Sequence, residues 1–159
     1  MVQRIALRFI FSVAVIGLRF FSCVRFVDGV RIAIAVPGNE PPDRMLDRVE
    51  EALRLIRRYD PRRFDRLVRD LKGGVVVLPH LGTDSDASFD SSTLACQIVS
   101  KLVLSEVAPE MLATIIVHEA THARLRRYGI GYDERLRFRV EAACFRREIA
   151  FAARLPRGE

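Results

Sequence analysis

Cysteine, histidine and lysine are scarce in this 159-residue chain, and each scarcity narrows what it can be. The three cysteines, Cys23, Cys96 and Cys144, are odd in number and widely spaced. They form no Cys-x-x-Cys pair and no disulfide framework, which leans toward a reducing compartment. Only two of the 26 basic residues are lysine, Lys72 and Lys101. The arginines behind the net charge of +6 are interleaved with Asp and Glu, and no nucleic-acid motif accompanies them. We therefore expect a solvated basic surface and no specific nucleic-acid binding. Low-complexity runs are absent, half the residues are hydrophobic, and the length suits one domain with a real core.

Long apolar runs are also missing. Residues 5–27 hold five of the ten phenylalanines, yet the unbroken apolar run extends only from Phe9 to Leu18, between Arg8 and Arg19. A membrane-spanning helix needs about 20 apolar residues. Any full window here takes in an arginine, at a cost of about 2.5–3.5 kcal/mol near the bilayer centre. Arg4 and Arg8 before that run suit a signal peptide, but no Ala-x-Ala-like cleavage site follows. Two readings of residues 5–27 stay open: a membrane anchor or peripheral membrane helix, and a buried helix or strand pair. Cytoplasmic and membrane-associated locations stay open with them. We divide the chain into a hydrophobic N-terminal segment, 1–27, and a folded domain, 28–159.

Within 28–159 the pattern alternates between short strands and helices. Asp28-Gly29 is a turn signal, and Val30 to Val36 reads as a strand ended by Pro37-Gly38. Met45, Leu46, Val49, Leu53 and Ile56 recur at helical spacing, and Asp60 before Pro61 suits the N-cap of a second helix through Leu71. Val75 to Leu78 reads as a strand. His80 to Ser92 reads as a polar loop; its Asp84, Asp86 and Asp90 lack the spacing and bidentate Glu of an EF-hand. Thr93 to Val99 and Lys101 to Leu104 read as one or two strands, one of which could offer its edge to an extended peptide.

Two of the three histidines stand in Ile115-Ile116-Val117-His118-Glu119-Ala120-Thr121-His122-Ala123. On a helix, residues four apart share a face. His118 and His122 can thus grip one Zn²⁺ at about 2.0–2.1 Å. Glu119, on the flank, can take a proton from water activated there. Met111 to Leu125 is apolar almost all round, as in a helix buried at a domain centre. Pro109 and Glu110 suit its first turn, and Gly129 its C′ position.

A hydrolytic zinc site has three protein ligands and an open position. Tyr128 to Tyr132 is a short turn, so the next helix should return antiparallel, from Asp133 as N-cap to about Arg154, through Leu136, Val140, Ala143, Phe145, Ile149 and Ala152. His122 lies roughly 8 Å before that turn and Glu141 roughly 12 Å beyond it, nearly level. Glu134 would sit beside the turn, and Glu148 would overshoot by roughly 10 Å. Glu141 is therefore the expected third ligand.

His118-Glu119-x-x-His122 with a helical Glu141 nineteen residues after His122 resembles the gluzincin zinc metallopeptidases, especially minimal single-domain versions. Glu141-Ala142-Ala143-Cys144 with Glu148 is also similar to small bacterial proteins carrying a His-Glu-Ala-Thr-His box. The likeness covers roughly residues 93–155. It implies an α+β, zincin-like fold, with a small mixed sheet packed on an active-site helix and an antiparallel ligand-bearing helix. It further implies His118, His122 and Glu141 as ligands, Zn²⁺ as cofactor, Glu119 as general base, and a peptide or protein substrate. Metzincins are excluded, because Leu125 and Tyr128 stand where their Gly and third His belong. Larger gluzincins often carry an Asp four residues after the ligand Glu to orient a ligand His; here that position is Phe145, so any such partner must come from elsewhere. Tyr132, Tyr128 and His80 are the candidates for steadying the oxyanion.

Three rival readings follow from the same residues. Cys96 in place of Glu141 would give a site like that of peptide deformylases, whose other motif residues are lacking. A non-catalytic zinc-stabilised binding module would leave Glu119 without a task. A membrane-associated scaffold would place the function in residues 1–30.

Overall fold

The computed structural model of the protein describes residues 23–35, 41–81 and 85–156. It begins with a hairpin, β1 (Cys23–Val27) antiparallel to β2 (Val30–Ile34), joined at the expected Asp28-Gly29 turn. Both turn residues have positive φ, 50° and 90°, as a two-residue type I′ turn requires. The last five residues of the 1–27 segment thus belong to the sheet, and residues 1–22, with the apolar run Phe9 to Leu18, lie outside the described residues. Among the described residues no helix is long and apolar enough to cross a membrane.

Helices α1 (Pro42–Tyr59) and α2 (Pro61–Asp70) follow as the periodicity indicates. The α1 stripe Met45, Leu46, Val49, Ala52, Leu53 and Ile56 is fully buried. The Asp60 side chain caps α2 by accepting the Arg63 backbone N–H at 3.1 Å. Strand β3 (Gly74–Leu78) then enters beside β2 in parallel. Gly74 makes that pairing possible: its φ is +76°, and a Cβ there would stand 2.0 Å from the Arg31 carbonyl oxygen.

The chain from 80 to 104 departs from its sequence reading in three ways. Part of the expected polar loop is a strand, β4 (Ala87–Asp90), paired antiparallel with β5 (Ala95–Val99). Ser and Asp have low strand preference, so pairing rather than propensity makes this strand. The turn that closes it is held by Asp90, whose carboxylate accepts from Ser92, Thr93 and Gln97. Second, residues 101–104 are not a strand but lie in a short helix, α3 (Ser100–Leu104), whose Leu102, Val103 and Leu104 pack on the core. Third, the strand leading to the metal helix is not an edge. The order is β1-β2-β3-β5-β4, so β5 is interior and β4 is the edge.

The result is an α+β fold: a five-stranded mixed sheet with parallel β2, β3 and β5 between antiparallel β1 and β4, and five helices among the described residues. Two cross-strand rows, Ile32-Val75-Cys96-Phe89 and Ile34-Val77-Ile98-Ala87, run to the β4 edge. The long helices α1 and α4 (Pro109–Arg127) pack side by side against the sheet, α4 over β5 and β4. α4 is the central helix, touching α1, α2, β4, β5 and α5 (Arg137–Ala152), which explains its nearly uniform apolarity.

The end of α4 matches expectation. Gly129 takes φ +79°, its N–H reaches the Arg126 carbonyl, and the Ile130 N–H reaches that of Leu125. That is a Schellman closure. Asp133 caps a turn rather than α5 itself: its Oδ1 accepts the Leu136 N–H at 2.9 Å, and the helix begins at Arg137. The inward face of α5 also differs from its apolar pattern. Phe145 and Ile149 are exposed, while Val140, Cys144 and Phe151 are buried.

Candidate metal centre

His118 and His122 lie one turn apart on α4, and their Nε2 atoms approach to 3.3 Å. α5 returns beside α4 and brings Glu141 level with them. Its Oε2 is 3.3 Å from Nε2 of His118 and its Oε1 is 3.6 Å from Nε2 of His122. Two atoms each about 2.0–2.1 Å from a tetrahedral zinc stand about 3.3 Å apart. The two imidazole nitrogens meet that spacing, and the Glu141 carboxylate sets one oxygen against each of them.

A fourth donor was not anticipated. The Cys144 thiol lies on the same face of α5, three residues after Glu141. A nitrogen of each imidazole and its Sγ all lie within 4.8 Å of one another. Burial, and then the nearby carboxylates of Glu141, Glu119 and Glu148, push this thiol up to about 12. Cys96, the cysteine weighed from sequence, is wholly buried in β5 and is not in this group; its thiol is raised well above its ordinary range by the same burial.

The carboxylate that holds His118 is Glu148, whose Oε2 is 2.9 Å from Nδ1 of that ring. In an antiparallel pair, going further along α5 means going back along α4. Glu148 overshoots His122 but reaches His118. Phe145, at the position where an orienting acid was sought, stacks its edge against the His118 ring at 4.8 Å. The spacing could have revealed Glu148, because residue i+7 from Glu141 lies on the same helix face.

Glu119 is buried against β4. Burial raises its carboxyl to about 7, aided by Glu141 and Glu148 and opposed by His118 and by the Phe89 backbone N–H that it accepts. His122 is lowered by burial and by the neighbouring His118, against the pull of Glu141. Tyr132 packs edge-on to the His122 ring at 5.6 Å, and burial together with its hydrogen bond to Glu141 raises its phenol.

A cavity of about 960 Å³ opens over these groups. The α4 and α5 residues form one wall and the edge strand β4, through Ala87, Ser88 and Phe89, lines the other side. Tyr132 lines it; Tyr128 and His80 do not. Tyr128 instead faces the Arg124 guanidinium at 5.5 Å. Compared with protein-family models, curated proteins and solved structures, the chain matches none.

Proposed function

We propose that the protein is a zinc metallopeptidase of gluzincin type, with a zincin-like arrangement of sheet, active-site helix and ligand-bearing helix. His118, His122 and Glu141 hold the ion, and Glu119 is the general base. The observation that carries this reading is that the two imidazole Nε2 atoms lie 3.3 Å apart and each faces an oxygen of the one Glu141 carboxylate, at 3.3 and 3.6 Å. Glu119 stands outside that group but in the same cavity.

Zinc bound there supplies Lewis acidity, polarising a peptide carbonyl and activating water. Glu119 accepts the proton of the attacking water and passes it to the leaving amine. In the metal-free protein burial raises this carboxyl to about 7, toward the range in which one group can both accept and return a proton. Glu148 holds the His118 ring by Nδ1, so that Nε2 faces His122 and Glu141.

The substrate lies extended along β4. The Val99 N–H bonds the Asp86 carbonyl, which sets the phase of the ladder. Ser88 and Asp90 then turn their main chain toward β5, while Ala87 and Phe89 turn theirs outward. On that outer edge the Phe89 N–H serves Glu119 and the Ala87 carbonyl accepts the Ser85 hydroxyl, so an extended peptide would pair with the Ala87 N–H and the Phe89 carbonyl. Of the three candidates for steadying the oxyanion only Tyr132 lines the cavity, and its hydroxyl would have to turn from Glu141 to do so.

The test is metal analysis together with cleavage of a mixed peptide library by wild type and Glu119→Gln. We expect one zinc per chain in both, and cleavage reduced about 10²–10⁴-fold in the variant. Undiminished cleavage by Glu119→Gln, or a folded wild type that binds no metal, would refute the proposal.

A second reading rests on Cys144. A nitrogen of each imidazole and its Sγ lie within 4.8 Å of one another, and if Glu141 were drawn in as well, four protein donors would close the site, as in structural zinc centres. The chain would then be a zinc-stabilised binding module.

A further inference from the structure

On the opposite side of α4 from the metal centre, helices α2, α4 and α5 meet around a second, small cavity of about 50 Å³. Arg63, Arg66, Arg124 and Arg147 line it, with Asp70 as the one acidic residue. Two of the local carboxylates are already engaged. Asp70 is paired with Arg127 at 2.7 Å, and Asp60 with Arg63 at 2.9 Å. That leaves Arg66, Arg124 and Arg147 with no carboxylate partner among the described residues.

Arg124 is held in place by Tyr128, and its Nη1 is buried with no acceptor among the described protein groups. A buried charged donor without an acceptor is costly, and guanidinium groups brought together without counter-charge repel one another. A fork of N–H donors is also the geometry that matches an oxyanion. The cavity is bridged by a further contact, because Arg63 Nη1 donates to the Arg147 carbonyl at 3.0 Å and so ties α2 to α5.

We propose that this cavity is a binding site for a small tetrahedral oxyanion of the phosphate class, held by Arg66, Arg124 and Arg147. Its size sets the limit: one water needs about 10–15 Å³ by the same measure, so the space takes a few water positions. A single phosphate or sulfate group fits; a sugar or a whole nucleotide does not. The bound anion joins three helices, two of which carry the metal-centre residues.

The experiment is calorimetric titration of the metal-loaded full chain with inorganic phosphate, at constant ionic strength, with acetate in parallel. Arg66→Ala and Arg147→Ala serve as variants. Both side chains are exposed and make no ion pair among the described residues, so the fold should persist, and circular dichroism verifies it. We expect one saturable phosphate per chain, weakened at least tenfold in each variant, with acetate far weaker. Phosphate binding equally well to both variants would put the anion elsewhere, including at the metal, and overturn the proposal. So would the absence of saturable binding, or acetate binding as tightly as phosphate.

Discussion

Oε2 of Glu148 lies 2.9 Å from Nδ1 of His118, while Nε2 of the same ring faces Glu141 at 3.3 Å. One imidazole is thus held between two carboxylates of α5, one on each nitrogen. A carboxylate at Nδ1 favours the tautomer protonated there, which in the proposed site would leave the Nε2 lone pair for a metal. Glu148→Ala should weaken zinc affinity about 10–100-fold without abolishing it. Competition with a chromophoric chelator measures this, and unchanged affinity would deny Glu148 its orienting role.

Glu141 and Cys144 stand one turn apart, and the two readings of the site assign them different parts. With Glu141 as the third ligand, Glu141→Ala loses most of its zinc at micromolar metal, whereas Cys144→Ser keeps one ion per chain. Elemental analysis of both variants decides the matter. Zinc lost equally from both would favour the closed, four-donor site.

The protonation of Glu119 makes the metal-free protein pH-sensitive. Burial raises its carboxyl from 4.5 to about 7 in the folded state. Between those pH values the folded chain holds a proton that the unfolded chain has released. This group's contribution is therefore fully present below pH 4.5 and falls as the pH rises to about 7, by about 3 kcal/mol in all. In urea denaturation of chelator-treated protein, Glu119→Gln should gain stability relative to wild type between about pH 5 and about pH 8. A difference independent of pH would contradict the raised value.

Two glycines with similar backbone angles should respond very differently to alanine. Gly74 and Gly129 have φ of +76° and +79°. At Gly129 nothing lies within 4 Å of an added Cβ, so only the left-handed backbone is penalised, at about 1 kcal/mol. At Gly74 the Cβ meets the Arg31 carbonyl oxygen across the β2–β3 pair, and the loss should exceed about 3 kcal/mol. Denaturation midpoints of the two variants provide the check; the reverse order would be inconsistent with the sheet described above.

What the residues themselves determined is local. The four-residue spacing of His118 and His122 puts both on one face of any helix they form, and Glu119 on its flank. Asp60 with Pro61, Pro109 with Glu110, and Gly129 set helix ends through contacts within a few residues, and all of these ends lie where expected. Even the level of Glu141 followed from the short turn and the rise per residue.

What only the tertiary structure decided is whatever depends on distant segments meeting. β4 exists because β5 offers it a ladder, not because Ala-Ser-Phe-Asp favours a strand. The inward face of α5 is selected by where α4 lies. It carries Glu141, Cys144 and Glu148 toward the imidazoles, while Phe145 and Ile149, which an apolar pattern would turn inward, stay exposed. Hydrophobic periodicity fails there because the face of α5 that meets α4 carries carboxylates, and Phe145 lies against the His118 ring at the open cavity instead of entering the core. The proposed oxyanion cavity has the same origin: Arg66, Arg124 and Arg147 are ordinary charges in sequence, and come together only where three helices meet.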